Sequence, residues 1–343
     1  MNIGTRQIGL SHPPYIIAEI GVNHDGQVAR ALELTDAAAD AGADAVKLQY
    51  FETDRLMSRA AKLAAYQKSA GETDPISMLR RLELTLDEMA QVVERAHARG
   101  IHAIVTVFST ELVEPAETLA WDAYKTASPD IVNRPLLEAL ASTGKPMIVS
   151  TGASTLDEVV RAVGWLDSAR DRLALLQCVS SYPAPQAELG GITAIRNATG
   201  LPVGYSDHTE QVETGADAVS AGALLLERHL THNRHAPGPD HAASLEPDAF
   251  AAYTRAARNA DRTAASGSKR VLDCERDVRT VSRQSVVSVR PIAAGTTITR
   301  QHLTIKRPGT GILAYRLDEV VGRVAARDIE GDVPILDADL RPA

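Results

Sequence analysis

Cysteine is scarce in this sequence, which limits what can hold the fold together. Among 343 residues only Cys178 and Cys274 are present, with no CxxC and no histidine–cysteine pair at zinc-binding spacing. Neither a disulfide framework nor a structural zinc site is indicated. This usage is typical of the reducing cytoplasm, where we expect the protein to work.

Aromatic residues, excess positive charge and long apolar runs are lacking as well. Aromatic residues make up 4% of the chain, so aliphatic and alanine side chains must fill the interior. The formal net charge of −8 gives no electrostatic footprint for nucleic acid or an anionic membrane. No run of about 18 apolar residues and no basic-then-apolar leader pattern is present. We therefore expect a cytoplasmic protein that binds neither nucleic acid nor membrane.

Short apolar runs alternate with longer amphipathic stretches through roughly the first 265 residues, as in β-α units around a parallel sheet. The predicted strands are Tyr15–Glu19, Ala45–Gln49, His102–Val107, Ala123–Thr126, Pro146–Ser150, Leu173–Cys178, Pro202–Ser206 and Leu224–Arg228. The predicted helices include Val28–Ala41, Leu86–Arg99, Leu136–Ser142, Thr155–Leu166 and Gln211–Ala221. Eight such units in about 250 residues indicate a (β/α)8 TIM barrel.

Composition also divides the chain into regions. The segment Glu52–Leu84 is longer than an ordinary β-α connection, so we expect it to pass over the barrel mouth. From about residue 264 the sequence becomes polar and loses its β-α rhythm, and short β-branched runs broken by Gly and Pro follow. We predict a barrel domain over residues 1–265, a linker over 266–284 and a small β-rich domain over 285–343.

Polar residues stand at the carboxyl end of every predicted strand. In a TIM barrel these ends and the loops after them form the mouth where chemistry occurs. Packing alone does not explain polar residues at the ends of strands that are otherwise apolar. The candidates in strand order are Glu19, Lys47 with Gln49, Thr106, Lys125 with Ser128, Ser150, Ser180 with Tyr182, Ser206 with His208, and Glu227 with His229.

Two histidines among these candidates suggest a metal. His208 and His229 end adjacent predicted strands, so their imidazoles can converge on one divalent ion. The alternative is that each is a buried, hydrogen-bonded structural residue. A second group, His232, His235 and His241, is either another metal site or a solvated loop, and we predict the loop.

Two lysines suggest an anion. Lys47 and Lys125 are costly to bury unpaired, so either they pair with carboxylates such as Glu19 and Asp130 or they hold an anionic ligand. Serine hydroxyls at the same mouth favour a phosphate and a carboxylate as guests. Cys178 is expected to be a packing residue rather than a nucleophile, because no histidine lies near it in the sequence.

The motifs that contain these residues resemble the sialic acid synthase family, including its legionaminic, pseudaminic and spore-coat polysaccharide relatives. The resembling segments span nearly the whole chain in order: IIAEIGVNHDG (16–26), ADAVKLQ (43–49), YK-TAS (124–128), STGAS (150–154), LLQCVSSYPAP (175–185), VGYSDHT (203–209), LERHLT (226–231), GPDHAASLEP (238–247) and KRPGTGI (306–312). The resemblance implies a TIM barrel followed by an antifreeze-like (SAF) domain, in agreement with the domain prediction above.

The resemblance also implies roles. His208 and His229 correspond to ligands of a divalent metal, usually Mn2+, with Mg2+ or Co2+ as alternatives. Glu19 corresponds to the essential carboxylate near that metal. Positions that hold phosphoenolpyruvate are matched by Lys47, Thr106, Lys125, Ser128, Ser150, Ser180 and Ser206. Acceptor-side positions are matched by Gln49, Tyr182 and Asp240. Arg307 matches an arginine that the SAF domain inserts into the active site of a partner subunit, which implies a domain-swapped homodimer.

This sequence departs from the family pattern at two positions. Asp130 stands where the family commonly has Glu, one methylene longer, and Ser180 stands where Asn is usual. The first change affects catalytic hydrogen-bond geometry and the second is compatible with a different acceptor, so the sequence leaves the acceptor sugar open.

The resemblance implies that phosphoenolpyruvate condenses with an N-acyl amino sugar or a related sugar aldehyde. The products are a nonulosonic 2-keto acid and phosphate. Glu19 is the preferred general base, Asp130 a second candidate, and Lys47 and Lys125 neutralise the anionic groups. The alternatives are another metal-dependent aldolase-type or phosphoenolpyruvate-using barrel enzyme, and a non-catalytic sugar-binding protein whose SAF domain is the working part.

Overall fold

The computed structural model describes residues 1–263 and 267–342. These residues form a barrel and a small second domain packed on it. The predicted boundary at residues 265 and 266, and the C-terminal Ala343, lie outside the described residues. Within the described part of the chain, no helix combines the length and the apolar content that crossing a membrane requires.

A closed barrel of eight parallel strands forms the core of the larger domain, which confirms the predicted fold. A short N-terminal hairpin, β1 (Asn2–Ile3) and β2 (Arg6–Gln7), precedes it. The barrel strands are β3 (Tyr15–Glu19), β4 (Ala45–Tyr50), β5 (His102–Val107), β6 (Ala123–Thr126), β7 (Met147–Ser150), β8 (Leu173–Cys178), β9 (Val203–Asp207) and β10 (Leu225–His229). Each lies beside the next in sequence, and β10 closes the barrel against β3.

Helices surround the barrel, and several begin where the sequence places a capping residue. They are α1 (Val28–Asp40), α2 (Thr53–Leu56), α3 (Ala65–Ser69), α4 (Pro75–Arg80), α5 (Leu86–Ala98), α6 (Val113–Ala116), α7 (Arg134–Ser142), α8 (Leu156–Trp165), α9 (Gly190–Thr199), α10 (Thr214–Ser220) and α11 (Pro247–Asn259). At the start of α5, Thr85 Oγ1 accepts a hydrogen bond from the Glu88 amide, and Thr155 does the same for Glu158 at the start of α8. These reciprocal caps satisfy amides that a helix leaves unpaired.

The segment between β4 and α5 passes over the barrel mouth, as predicted for Glu52–Leu84. It contains α2, α3 and α4 and packs its own apolar cluster against the mouth. That cluster joins Leu56, Met78 and Leu82 of the segment to Val22 and Phe108, which follow barrel strands. We call residues 52–84 the cap.

The described part of the predicted linker, residues 267–284, is folded onto the barrel and is not a solvated connector. It contains α12 (Arg276–Ser282), and within it Glu275 is 1% exposed and Arg283 is 4% exposed. We call residues 267–284 the connecting segment. Its polar composition does not reveal this packing, because its charged side chains bind backbone groups of the barrel loops.

The small domain is built around an antiparallel pair, β11 (Ser285–Ser288) and β12 (Leu303–Lys306), with the short helix α13 (Leu317–Val320). Its own apolar core includes Val286, Ile298 and Ile335. It docks on the barrel mouth of the same chain, where the Arg307 amide donates to Leu56 O at 2.9 Å. Residues of this domain therefore reach the mouth.

Candidate active site

The barrel strands carry an apolar layer below a polar one, because alternate residues of a strand point into the barrel. The lower layer includes Ile17, Ala45, Ile104, Ala123, Ile148 and Leu225, closed from below by Ile3 and Ile8. Two positions further along the same strands stand Glu19, Lys47, Thr106, Lys125, Ser150 and Glu227. The switch from apolar to polar within each strand places this ring of polar groups at the mouth.

A pocket opens above this ring. Asp130 is the one predicted site residue that does not line it. The predicted residues that do line it are Glu19, Lys47, Gln49, Thr106, Lys125, Ser128, Ser150, Ser180, Tyr182, Ser206, His208, His229, Asp240 and Arg307. The structure thus brings into one cavity residues that are spread over almost 300 positions of sequence.

Both lysines at the pocket floor pair with buried carboxylates. Lys125 Nζ lies 3.2 Å from Glu227 Oε1, and Lys47 Nζ lies 3.7 Å from Glu227 Oε2. Lys47 also pairs with the Glu19 carboxylate and donates to Thr106 Oγ1 at 3.2 Å. Of the two carboxylates expected from sequence, Glu19 is such a partner and Asp130 is not, while Glu227 is a partner that the sequence did not predict.

Burial and the neighbouring charges shift the acid–base behaviour of this floor. The pKa of Lys47 is lowered to about 7: burial is the main cause, Glu227 opposes the shift, and the nearby ammonium of Lys125 adds to it. Burial alone would raise the pKa of Glu227, but the two ammonium groups hold it below its ordinary value. An anion that entered the pocket would raise the pKa of Lys47, because an adjacent negative charge favours the protonated amine.

Serine hydroxyls form a second group of donors beside the lysines. Ser128 Oγ donates to Ser150 Oγ at 3.1 Å, and the Gly152 amide donates to Ser128 Oγ at 3.0 Å. Ser206 Oγ donates to Glu227 Oε1 at 2.9 Å. Buried hydroxyls next to ammonium groups suit an oxyanion, because they donate hydrogen bonds without bringing negative charge.

The two predicted metal-ligating histidines face one another, with ring centroids 5.4 Å apart. His208 Nδ1 lies 3.0 Å from Val179 O, which only accepts, so this nitrogen carries the proton and Nε2 keeps a free lone pair. His229 Nδ1 is buried without a hydrogen-bond partner. Burial places the pKa of His229 well below its ordinary value, and His208 adds to this, so the ring is neutral as a metal ligand must be.

These features fit a divalent ion that takes two protein ligands. An orphaned, neutral imidazole beside a second imidazole with a free lone pair is a suitable donor set for Mn2+, Co2+ or a similar ion. No group of three His, Cys, Asp or Glu side chains is close enough to hold a metal in the part of the chain that the structure describes. Water or a substrate oxygen would therefore complete the coordination of an ion held by His208 and His229.

That finding also bears on the loop after β10. His232 and His235 are exposed, in line with the predicted solvated loop. His241 is buried: its Nε2 lies 3.1 Å from Asp25 Oδ1 and its Nδ1 lies 2.8 Å from Thr231 Oγ1. The alternative of a second metal site made by these three histidines is wrong, since only one of them is inside the protein.

Cys178 is buried as predicted, but the reason given from sequence was incomplete. Its Sγ lies 3.5 Å from His208 Nδ1, a neighbour on the adjacent strand that sequence distance does not reveal. Because His208 Nδ1 already donates to a backbone carbonyl, the thiol is a packing neighbour of that ring.

The upper wall of the pocket is partly aromatic. The Tyr182 ring lies 4.2 Å from the His208 ring and 4.8 Å from the Tyr66 ring of the cap. Asp240 Oδ2 lies 3.7 Å from His229 Nδ1, and burial raises the pKa of Asp240 to about 6. This wall combines flat apolar surface with a few polar groups, which is typical of a site for a sugar or another polar organic molecule.

Asp130 lies behind the wall, next to Arg307. The Asp130 carboxyl is fully buried, neither of its oxygens has a hydrogen-bond partner, and burial raises its pKa to about 7 against the opposing charge of Arg307. The Arg307 guanidinium lies over the Phe108 ring at 5.5 Å and lines the pocket of its own chain. The expectation that Arg307 serves the site of a partner subunit stays a prediction.

The connecting segment is a part of the pocket that sequence reasoning missed. Val278 and Ser282 of α12 line the pocket. No local sequence motif predicts this role, because the segment is polar in composition and lacks the β-α pattern. Glu227 was noted at a strand end without a role, although its position two residues before His229 on the same strand predicts that both face inward.

The fold and the pocket define a class: a TIM-barrel protein with a polar pocket at its mouth and an accessory domain over that pocket. The chain belongs to the NeuB family, whose model matches residues 34–269, and a SAF domain matches residues 283–341. Both parts of the predicted architecture are thereby confirmed.

Three relatives illustrate the membership. The N,N'-diacetyllegionaminic acid synthase of Legionella pneumophila is 34% identical, over 97% of this chain and 96% of its own. The crystal structure of the spore coat polysaccharide biosynthesis protein SpsE of Bacillus subtilis superposes with a TM-score of 0.86 at 27% identity, over 100% of this chain and 99% of that one. The sialic acid synthetase of Leptospira borgpetersenii, solved with citrate, has a TM-score of 0.67 at 32% identity, over 75% of this chain and 87% of that one.

Proposed function

We propose that this protein condenses phosphoenolpyruvate with the aldehyde of an N-acyl amino sugar, giving a nonulosonic 2-keto acid and phosphate. The observation that carries the proposal is one pocket in which two buried ammonium groups, Lys47 and Lys125, lie beside two facing imidazoles, His208 and His229. The ammonium groups suit the phosphate and carboxylate of phosphoenolpyruvate. The imidazoles suit a metal ion that would bind the aldehyde of the sugar.

The relatives support the same chemistry. The Legionella protein bears the name of a diacetyllegionaminic acid synthase, and the Leptospira protein that of a sialic acid synthetase. The latter was solved with citrate, a polycarboxylate. A floor that attracts carboxylates is consistent with the lysines and serines of this chain.

The metal we propose is Mn2+ or a similar divalent ion held by His208 and His229. Bound there, it would act as a Lewis acid that polarises the sugar aldehyde. The protein supplies the two rings and orients that of His208 through the hydrogen bond from its Nδ1 to Val179 O.

The chain's own groups would hold phosphoenolpyruvate and manage charge. Lys47 and Lys125 bind its phosphate and carboxylate, with hydroxyls of Ser128 and Ser150 as further donors. C3 of phosphoenolpyruvate then forms a bond to the aldehyde carbon, and the aldehyde oxygen takes up a proton. Water adds at C2 and loses one proton; the C2–O bond to phosphate then breaks, and the phosphate leaves with the remaining hydroxyl proton, which gives the 2-keto group.

Glu19 is our candidate for the general base that accepts the proton of that water. Its carboxylate is 1% exposed and pairs with Lys47. When the phosphate binds Lys47, the ammonium has an anionic partner in addition to Glu19 and Glu227 and holds Glu19 less tightly, so Glu19 becomes a better base. Asp130, with a pKa near neutrality, is the second candidate and would act through Arg307, since it does not line the pocket.

The acceptor would bind on the upper wall. Gln49 lines the pocket, and its Nε2 donates to Gly21 O at 2.7 Å, which fixes the side chain. Tyr182 and Asp240 lie beside the histidines, where they can contact a sugar held near the metal. Ser180, shorter than the Asn usual in the family, leaves extra room there.

The deciding experiment is phosphate release from phosphoenolpyruvate with a panel of N-acyl hexosamines, with and without Mn2+. Release that requires both the sugar and the metal, with product masses of nonulosonic acids, is the expected result. Phosphate release without a sugar, or none across a broad panel of aldehyde sugars, would contradict the proposal.

We also propose that the working form is a homodimer in which Arg307 of one copy serves the site of the other. The interface seen within this chain, where cap residue Leu56 pairs with Arg307, would then form between copies. Mixing inactive Lys125→Met with inactive Arg307→Ala tests this. An exchanged dimer regains activity, because one site has both residues intact, whereas copies that each use their own Arg307 stay inactive.

A further inference from the structure

The connecting segment holds two pocket loops through one buried carboxylate. Glu275 Oε1 accepts hydrogen bonds from the amides of Ala153 at 2.6 Å and Ser180 at 2.9 Å. Glu275 Oε2 accepts from the Leu272 amide at 2.9 Å. Ala153 follows β7 and Ser180 follows β8, so this side chain joins the ends of two neighbouring barrel strands.

The loop that Glu275 holds has an unfavourable backbone conformation. Ala153 has a φ of 51°, in the left-handed region that is unfavourable for a non-glycine residue. Its carbonyl accepts hydrogen bonds from the guanidinium groups of Arg279 at 2.5 Å and Arg283 at 3.3 Å. Both polar groups of Ala153 are thus bound by side chains of the connecting segment, which offsets the cost.

The conformation of this loop determines where the pocket hydroxyls lie. Gly152, the residue before Ala153, donates its amide to Ser128 Oγ at 3.0 Å. A Cβ at Gly152 would come within 2.1 Å of Ser180 Oγ and 2.7 Å of Ser128 Oγ, so its backbone is wedged between these two hydroxyls. Ser128 in turn donates to Ser150. A shift at Ala153 would therefore displace all three serines.

We infer that Glu275 is a positioning residue that holds the serine hydroxyls in the arrangement that binds phosphoenolpyruvate. The inference rests on the proposed function for the identity of the anion. The connecting segment is then part of the substrate site, although Glu275 itself does not line the pocket.

Glu275→Gln is the direct test. The amide keeps one acceptor oxygen but places an NH2 group against a backbone donor, so at least one of the three hydrogen bonds is lost and those that remain lose the assistance of the negative charge. We expect the KM for phosphoenolpyruvate to rise about tenfold, the equivalent of one lost charge-assisted hydrogen bond, while the KM for the sugar changes little. The matched control is Asp273→Asn, because Asp273 is exposed and binds only Arg276.

A role in stability alone would appear differently: active protein would be lost and kcat would fall at an unchanged KM. Amide hydrogen exchange of peptides covering Ala153 and Ser180 adds a readout that needs no turnover, and exchange there should be faster in Glu275→Gln than in Asp273→Asn. If Glu275→Gln does not fold, Arg279→Gln, which removes one donor to the Ala153 carbonyl, should raise the same KM less strongly.

An unchanged KM for phosphoenolpyruvate in a folded Glu275→Gln or Arg279→Gln, with wild-type turnover intact, overturns the inference. Failure of the wild type to use phosphoenolpyruvate overturns the proposed function instead. In that case amide hydrogen exchange at Ala153 and Ser180, compared between Glu275→Gln and Asp273→Asn, still decides whether Glu275 holds the loops.

Discussion

Lys125 Nζ lies 3.2 Å from Glu227 Oε1 at the floor of the pocket, and Glu227 is also the neighbour of Lys47. Glu227 is therefore shared by two buried ammonium groups, of which Lys47 also pairs with Glu19. Loss of the Glu227 charge would leave this floor short of negative charge, which an anion that enters the pocket can supply. The first prediction follows from this shared role.

We expect Glu227→Gln to melt at a lower temperature than the wild type, because removing one partner of a buried ion pair costs about 3–5 kcal/mol. Inorganic phosphate should raise the melting temperature of the variant more than that of the wild type, since the anion replaces the missing charge. Thermal melting with and without phosphate measures both effects. Glu114→Gln, at an exposed glutamate, is the control, and equal phosphate shifts in all three proteins would contradict the prediction.

Lys125→Met should lower kcat/KM for phosphoenolpyruvate about 100-fold. The substitution keeps the aliphatic stem and removes a buried charge, and a hydrogen bond to a charged group contributes about 1.5–3 kcal/mol. Lys62→Met, at an exposed lysine of the cap, should leave the constant unchanged. A loss under threefold in Lys125→Met would show that this ammonium does not hold the substrate.

Removal of metal should abolish turnover, and Mn2+ should restore it. Mn2+ binding measured by electron paramagnetic resonance is the independent readout. The His208→Gln variant should lose Mn2+ binding, because the lone pair of His208 Nε2 is the one available to a metal. His235→Gln, at an exposed histidine, should bind as the wild type does. Retained Mn2+ binding in both His208→Gln and His229→Gln would rule out this site.

The pH dependence should report on Asp130, whose pKa burial raises to about 7. At saturating substrate, turnover should increase as pH rises through 7, because only the ionised carboxylate accepts a proton or pairs with Arg307. Asp130→Asn should lack this rise. A profile for Asp130→Asn that keeps the same inflection would assign it to another group.

The Asp130 carboxyl should also make the free energy of unfolding depend on pH, with a decrease where turnover increases. In the unfolded chain its pKa returns to about 3.9, so the folded state holds the proton more tightly. The stability of the wild type relative to Asp130→Asn should therefore decrease as pH rises from about 4 to about 7, and then level off. Denaturant unfolding of both proteins across this range measures the difference.

Gly152→Ala should impair phosphoenolpyruvate binding without unfolding the barrel. The added Cβ would lie 2.1 Å from Ser180 Oγ, so the hydroxyls must move apart. Gly164→Ala is the matched control: that glycine lies in α8 with nothing within 4 Å of an added Cβ, and the change should leave KM unaltered. Equal KM values for the two variants would mean that the serines can move without loss of binding.

The barrel itself was predictable to within one residue at every strand end. Each strand is a short apolar run that stops at a polar residue, because the inside of a barrel changes from packed core to open mouth along the strand. Ala45–Tyr50, Val203–Asp207 and Leu225–His229 each end one residue beyond the prediction, since backbone pairing continues past the apolar run.

The contacts between distant segments were not predictable. Glu275 is separated from Ala153 and Ser180 by about a hundred residues, and its exposed-looking sequence context gives no sign that its carboxylate binds their amides. The neighbourhood of Cys178 and His208 likewise depends on how β8 and β9 pair. Residue type and spacing predict which strand end carries a group, but the geometry across strands comes from the closed barrel.

The cap shares its apolar cluster with residues that follow barrel strands. Its residues border the pocket, whereas the lysines and serines belong to barrel strands and the loops that follow them. Under the proposed function, substitutions or length changes within residues 52–84 should alter the space offered to the sugar more than the groups that bind phosphoenolpyruvate. Exchange of this segment between family members should then transfer preference among sugars.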